Sequence, residues 1–355
     1  MRIGLIIYGS LDTISGGYLY DRKLMEYLRG AGDSVEIFSL PWRNYAAHLT
    51  DNSYFKLPKK LDILIQDELN HPSLIFANQG KHRYPVISLV HHLRCSELRP
   101  QWQNAFYRVV EKQYLNSVDG FIFNSVTTKD MVSGLLGHEK PGMIAYPPTD
   151  QFGDPISEDE ITSRSQASPL QVLFLGNVIK RKGLHTLLRA INLGSLACKV
   201  DVVGSMTAEP RYAYEMERYI LTPRLSSQIT FHGSLGHDEL VEKLKSAHVL
   251  VVPSSYEGFG IVYLEGMGFG LPAIGTTAGA ASEIIEQGLT GYLIEPDDAQ
   301  ALFEHLQQLG EDRALLRRLS LNARARYLRQ PSWAETAKRI RNFLLSFVHY
   351  RLSHY

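Results

Sequence analysis

Two glutamates, Glu257 and Glu265, bracket the run EGFGIVYLE, and GMGFGLPAIGTTAGAASEII follows directly. Gly258 and Gly260 have no Cβ, so the backbone there can approach a ligand closely. A helix beginning near Phe259 would turn the N–H groups around Gly258, Phe259, Gly260 and Ile261, and the positive end of its dipole, toward an anion. Glu265 would lie about two turns further in. That is too far to share a proton with Glu257, yet suited to gripping another part of the same ligand. Two acids around an anion-binding turn point to an extended ligand with polar groups at both ends. A sugar joined to a nucleotide through a diphosphate fits.

A second segment, VLFLGNVIKRKGLHTLLRAI, offers cations for such a ligand. The spacing predicts a strand ending at Gly176, a loop with Lys180, Arg181 and Lys182, and a helix beginning near Gly183. Leu184, Leu187, Leu188 and Ile191 would form the buried face of that helix. Cations at a helix N-terminus oppose the dipole unless an anion lies between them, which makes a diphosphate the economical reading; a solvated basic loop is the plainer one. In the first half, Gly16-Gly17 precede a helix whose apolar face is Leu24, Tyr27 and Leu28. The spacing after Gly9 lacks the Gly-x-Gly-x-x-Gly dinucleotide fingerprint. His91 and His92 follow the apolar run Val86 to Val90, and their side chains should point to opposite faces.

The elements that must position these residues are short apolar runs alternating with helical patterns, the mark of parallel sheets covered by helices. One series is Ile3 to Tyr8, Leu61 to Ile65, Val86 to Val90 and Gly120 to Phe123. A second is Val172 to Leu175, Val200 to Val203, Ile229 to Phe231, Val249 to Val252 and Ala273 to Ile274. Between them QFGDPISEDEITSRSQASP is polar, with little to bury, and reads as a linker. The expected architecture is α/β, two doubly wound Rossmann-like domains facing a cleft, over residues 1–150 and 169–331. A C-terminal helix over 332–355, started by the capping box of Ser332 and Glu335, should pack back on the first domain. A chain of 355 residues is natural for two domains. Lys plus Arg and Asp plus Glu both number 37, so nothing favours a nucleic-acid partner. Two cysteines are too few for a disulfide framework and favour a reducing compartment. No apolar run approaches the roughly 20 residues of a membrane span, and IGLIIY is too short for a signal-peptide core. The expected location is cytoplasmic, with the basic and aromatic tail KRIRNFLLSFVHYRLSHY offering peripheral contact at the inner face of a membrane.

The run from Glu257 resembles the signature of retaining nucleotide-sugar glycosyltransferases of glycosyltransferase family 4, which have the GT-B fold. The resemblance rests on two glutamates separated by seven residues, Gly258-Phe259-Gly260 after the first, Gly270-Leu271-Pro272 soon after the second, and Gly291 within LTGYLIEPDD. It implies that Glu257 meets the hydroxyls of the transferred sugar, Glu265 the ribose hydroxyls and Lys182 the diphosphate. Asn177 stands where the family has an arginine on the diphosphate, which leaves Arg181 or Lys180 to supply that charge. Gly16 and Gly17 would approach the sugar and the β-phosphate. His91, as a neutral imidazole, would orient the sugar, and backbone groups near Ser234 and Leu235 in ITFHGSLGHDEL would contact the base. The implied reaction is attack by an acceptor hydroxyl with retention of configuration. The leaving diphosphate takes the acceptor's proton, and Lys182, Arg181 and the helix N-terminus after Glu257 stabilise its charge.

No Asp-x-Asp motif or metal-ligand spacing of histidines is present in the sequence, so the expected catalysis is metal-independent, with no cofactor beyond the nucleotide diphosphate sugar donor. The acceptor is an unidentified hydroxyl of a glycan, lipid or small molecule. Glu68, Asn70, His71, Arg94 and Arg99 are candidate contacts, although residues of these types are more often plain surface. Other readings are a sugar-nucleotide epimerase or phosphorylase on the same fold, or a non-catalytic binding protein.

Overall fold

The computed structural model describes residues 1–13, 15–80, 82–148 and 150–352. Its contacts divide the chain into two compact units, Met1–Pro148 with Pro331–Tyr355, and Thr149–Gln330. Each unit is built on a six-stranded sheet.

In the first unit the strands are β1 (Arg2–Tyr8), β2 (Ser34–Leu40), β3 (Ile63–Asp67), β4 (Val86–Val90), β5 (Gly120–Phe123) and β6 (Gly142–Ile144). They lie in the order β2-β1-β3-β4-β5-β6, and every neighbouring pair is parallel. The central strands β3, β4 and β5 are buried at every position, as helices on both faces of a parallel sheet require. Strand β3 runs two residues later than the apolar run predicts. Gln66 and Asp67 extend it because both are buried, and Gln66 exchanges amide hydrogen bonds with Asn78.

In the second unit β7 (Leu170–Leu175), β8 (Cys198–Val203), β9 (Ile229–Gly233), β10 (Val249–Val251), β11 (Ala273–Thr276) and β12 (Gly291–Ile294) form a parallel sheet in the order β12-β11-β10-β7-β8-β9. That is the Rossmann order, and its reversal point lies between β7 and β10. Open parallel sheets bind ligands at such a point, beyond the carboxyl ends of the strands.

The polar segment read as a linker is folded. Residues Glu158–Ser165 form a helix closed by a capping box between Ser157 and Glu160. Its Ile161 is fully buried, and Arg164 donates to the carbonyls of Lys245, Phe269 and Gly270. One buried isoleucine among polar residues leaves little periodic signal, which is why the sequence pattern hides this helix. Gly270 has φ +62°, and a Cβ there would come within 2.5 Å of Ile161 Cδ1, so this glycine of the Gly-Leu-Pro triplet serves packing.

The C-terminal helix, Trp333–Leu352, packs on the helix Gly16–Gly30 of the first unit. Ala337, Ile340 and Leu344 are buried in that unit's core. Arg341 binds Asp33 through two nitrogens at 2.7 and 3.2 Å, and the N-terminal ammonium joins the same carboxylate at 2.8 Å. The apolar stripe of this tail is therefore spent on the core. Among the described residues no helix is long and apolar enough to cross a membrane.

Candidate functional site

At the reversal point of the second sheet, the loops after β7 and β10 are locked together by backbone. Gly183 has φ +71°, and a Cβ there would lie 2.0 Å from the Pro253 carbonyl oxygen. Ser255 N donates to the Arg181 carbonyl at 2.8 Å. The 3₁₀ turn Lys180–Lys182 lies between these contacts, and the helix Leu184–Leu193 follows with Leu184, Leu187, Leu188 and Ile191 fully buried.

This packing joins the two sequence motifs in one ion cluster. Lys182 Nζ donates to Glu257 Oε1 in a short hydrogen bond, Ser254 Oγ donates to the same oxygen at 2.6 Å, and Arg181 Nη1 lies 3.8 Å away. Arg181 Nη1 also donates to the Tyr256 carbonyl at 2.9 Å. The Glu257 backbone is pinned from the other side: its carbonyl accepts from Ala280 N at 2.8 Å, beside Gly279, where a Cβ would lie 2.1 Å from it. Burial alone would raise the Glu257 pKa. The charges of Lys182 and Arg181, with hydrogen bonds from Lys182 and Ser254, outweigh it and hold the group at about 2. Burial draws the Lys182 ammonium below the usual lysine range, with Glu257 opposing and the Glu265 charge adding to that opposition.

The helix after the glycines begins at Ile261, later than the pattern suggests, because Gly260 takes φ +88° as its N-cap. A Cβ on Gly260 would meet the Tyr263 ring at 2.6 Å. Tyr263 is itself anchored by donating to the Val252 carbonyl at 2.7 Å. Glu265 is the fifth residue of the helix Ile261–Gly268 and half-buried, about one turn from its start rather than two. Gly258 is half-buried and Phe259 buried. Asn177 is half-exposed, and its side chain makes no hydrogen bond to the described residues. Ser234 and Leu235 follow β9, at the same carboxyl edge of this parallel sheet.

In the first unit, Gly16 and Gly17 open the helix Gly16–Gly30, capped by Ser15. A Cβ on Gly17 would lie 3.3 Å from His91 Cδ2, so the glycine lets the imidazole sit against the helix start. His91 Nε2 is 3.1 Å from Asp21 Oδ1 on that helix, and Asp67, the last residue of β3, is close by. Both aspartates are essentially unexposed. Burial would lower the His91 pKa, but the hydrogen bond and charge of Asp21, with Asp67 and Glu68 behind it, raise it to about 9. Burial and the Asp21 charge raise Asp67 to about 8. These acidic neighbours favour the charged imidazole over the neutral ring that the resemblance implies. His92 turns elsewhere, with Nε2 3.2 Å from Glu97 Oε1.

Glu68, Asn70 and His71 are buried rather than plain surface, and Arg94 and Arg99 are half-buried. His71 lies between Glu68 Oε1 at 3.1 Å and the Tyr45 hydroxyl at 2.8 Å. Glu111 accepts from the backbone N–H groups of Arg94 and Cys95, which fixes the turn after β4. Sequence reasoning missed Asp21, Asp67, Glu111 and Ser254. Ser254 and Asp67 could have been found as polar residues at the carboxyl ends of apolar strands; Asp21 and Glu111 lie inside helices with nothing in their spacing to mark them.

Residues 157–326 match the family described as glycosyl transferases group 1. The chain is 24% identical over 273 residues to glycogen synthase of Mycobacterium tuberculosis, covering 75% of this chain and 64% of that protein. It is 26% identical over 195 residues to alpha-D-kanosaminyltransferase of Streptomyces kanamyceticus, covering 53% of this chain and 50% of that one. The chain thus spans less than two thirds of the length of these curated relatives. The fold is that of GT-B glycosyltransferase structures: sucrose-phosphate synthase from Thermosynechococcus elongatus superposes with a TM-score of 0.81 at 21% identity, over 97% of this chain and 98% of that one. HepE of Anabaena in complex with UDP superposes with a TM-score of 0.74 at 19% identity, over 98% of this chain and all of that one.

Proposed function

We propose that the protein is a retaining glycosyltransferase, metal- and cofactor-independent, moving a sugar from a nucleotide diphosphate sugar to an acceptor hydroxyl of a glycan, lipid or small molecule. The observation behind this reading is the Lys182–Glu257–Arg181 cluster at the reversal point of a Rossmann sheet, where two cations meet one carboxylate. The surplus positive charge suits a diphosphate, and Glu257, ionised at any working pH, suits sugar hydroxyls. As the sugar leaves, Lys182 and Arg181 take up the charge growing on the phosphate, helped by the N–H groups from Gly258 to Ile261. Glu265 holds the ribose, backbone groups of Ser234 and Leu235 hold the base, and Gly16, Gly17 and His91 attend the transferred sugar. The neighbouring HepE structures include UDP and UDP-glucose complexes, which makes UDP-sugars the first donors to assay. Proton NMR of the fresh product tests the reading: an α-linked donor gives an α product. A β product overturns the retaining assignment.

For location, we assign peripheral contact with the inner face of a membrane to the helix Gln101–Ser117 instead of the tail. Trp102, Phe106 and Val109 stand exposed on one face of it, Arg108 and Lys112 are exposed beside them, and its one carboxylate, Glu111, is buried. Aromatic and basic groups without exposed acid suit an anionic bilayer. Anionic vesicles should sediment the protein, and a Trp102→Asp, Phe106→Asp double variant should stay in the supernatant. Equal sedimentation of both would remove this face from the proposal.

A further inference from the structure

Arg94 opens the 3₁₀ turn Arg94–Ser96 just after β4, at the carboxyl edge of the first sheet, where open parallel sheets bind ligands. Its guanidinium carbon lies 5.1 Å from the centre of the Tyr45 ring and 4.8 Å from that of Tyr107, and the two rings meet at 4.9 Å and 75°. The cation therefore sits in the corner between them, held by the ring quadrupoles. The rings attract its charge but give its N–H groups no acceptor. Among the described residues the Arg94 side chain has no hydrogen bond and no ion pair, and its Nε is buried without a partner. The two nearby carboxylates are engaged elsewhere. Glu111 accepts from the backbone N–H groups of Arg94 and Cys95, and Glu97 pairs with His92 and Arg99. Arg99 stands 5.5 Å from the Tyr107 ring centre, and its Nε is also buried without a partner.

We propose that Arg94 binds a phosphate group through the N–H groups its two tyrosines leave free, and that the acceptor carries this phosphate. The second clause rests on the glycosyltransferase reading; the first stands without it. A guanidinium fixed between rings keeps its planar fork preorganised, and a phosphate offers oxygens that such a fork meets two at a time. A carboxylate would fit the same fork, and the setting decides between them. Tyr107 lies on the helix Gln101–Ser117 beside the exposed Phe106, whose ring is 5.8 Å from that of Tyr107 and 6.1 Å from that of Tyr45. The corner that holds Arg94 thus adjoins the aromatic and basic face of that helix. Beside a face suited to an anionic bilayer the anion within reach is a phosphate headgroup, and a soluble phosphate ester presents the same oxygens.

The test uses the full chain and reads Arg94 directly. Its Nε–Hε NMR signal, identified as the one missing from Arg94→Gln, should shift on titration with glycerol 3-phosphate. Arg94→Gln should bind that ester roughly ten- to a hundredfold more weakly, the loss expected for a charge-assisted pair, and Arg94→Lys should recover only part because it keeps the charge without the fork. Phosphatidylcholine vesicles charged equally with phosphatidic acid or with oleate form the second arm. If the phosphate belongs to a lipid headgroup, Arg94→Gln loses affinity for the phosphatidic acid vesicles by a similar factor and keeps its affinity for the oleate ones, even where glycerol 3-phosphate alone leaves the signal in place. An unmoved Arg94 signal, together with equal loss or no loss on the two kinds of vesicle, overturns the proposal. Should the variants not fold, wild type decides alone: no shift with the ester and no preference for phosphatidic acid over oleate overturns it equally. Phosphate binding at Arg94 in a protein that consumes no nucleotide sugar would end the glycosyltransferase reading and leave the phosphate site standing. Sugar transfer without phosphate binding would end this proposal alone.

Discussion

The second unit sets two half-buried cations around one buried carboxylate; the first sets one half-buried imidazole among three buried acidic side chains. Lys182 and Arg181 hold Glu257 at about 2, far below its ordinary value of 4.5, while Asp21, Asp67 and Glu68 lift His91 from 6.5 to about 9. Both clusters sit at carboxyl ends of parallel strands, and both contain buried ion pairs. The balance of charge separates them. An excess of cation needs an external anion to complete it, whereas an excess of carboxylate retains a proton. The same device, an ion pair with a surplus third charge, leaves net positive charge in one unit and favours a retained proton in the other.

The sharpest way to break this comparison is to remove the surplus cation. Lys182→Ala should lower turnover on the order of 10²–10³-fold, the effect typical of losing one group that stabilises transition-state charge. Steady-state kinetics with UDP-glucose would show it. A loss of only a few fold would mean that Arg181 suffices and that Lys182 mainly neutralises Glu257.

The second prediction sets the units against each other in pH. Glu257 has a depressed pKa, so its stabilising contribution is complete above about 4.5 and is lost as pH falls toward about 2. His91 has a raised pKa, so its contribution is complete below about 6.5 and is lost as pH rises through about 9. Asp67, raised from 3.8 to about 8, acts in the same direction as His91. The first unit should therefore weaken in alkali and the second in acid. Hydrogen exchange, corrected for intrinsic rates, should show the helix Gly16–Gly30 losing protection near pH 9 while Leu184–Leu193 keeps it. Parallel loss in both units at pH 9 would contradict the assignment.

Much of this was legible in the sequence, for a physical reason. Parallel strands covered on both faces, such as β1, β4 and β7, are almost entirely buried and so read as short, mainly apolar runs. Edge strands were not legible: β2 alternates half-buried and exposed residues, and β6 has three residues, so neither leaves a run. The glycines of Gly258-Phe259-Gly260 and the basic turn Lys180–Lys182 stood out because a positive φ, close packing and a run of like charge each restrict residue type locally. The pairing of Lys182 with Glu257 did not, because 75 residues separate them and only the adjacency of β7 and β10 brings them together. Asp21 was hidden twice over. A helical aspartate reads as a solvated face, and its partner His91 lies 70 residues away, just after β4.

The smallest expected effect falls on Asn177, and it sharpens the comparison by contrast with Lys182. The two residues lie five apart in the same loop after β7, but their surroundings differ. Lys182 is nearly buried, paired to Glu257 and part of the charge surplus. Asn177 is half-exposed, neutral and without a side-chain hydrogen bond among the described residues. Asn177→Ala removes no charge and leaves no buried group unsatisfied, so stability should stay within about 0.5 kcal/mol. Turnover should fall no more than a few fold, since a neutral amide contributes at most about one ordinary hydrogen bond to the phosphate, roughly 0.5–1.5 kcal/mol. Calorimetric melting and UDP-glucose kinetics on this variant beside Lys182→Ala would measure the contrast. Were Asn177→Ala as damaging as Lys182→Ala, geometry at the loop, and not surplus charge, would be what the diphosphate recognises.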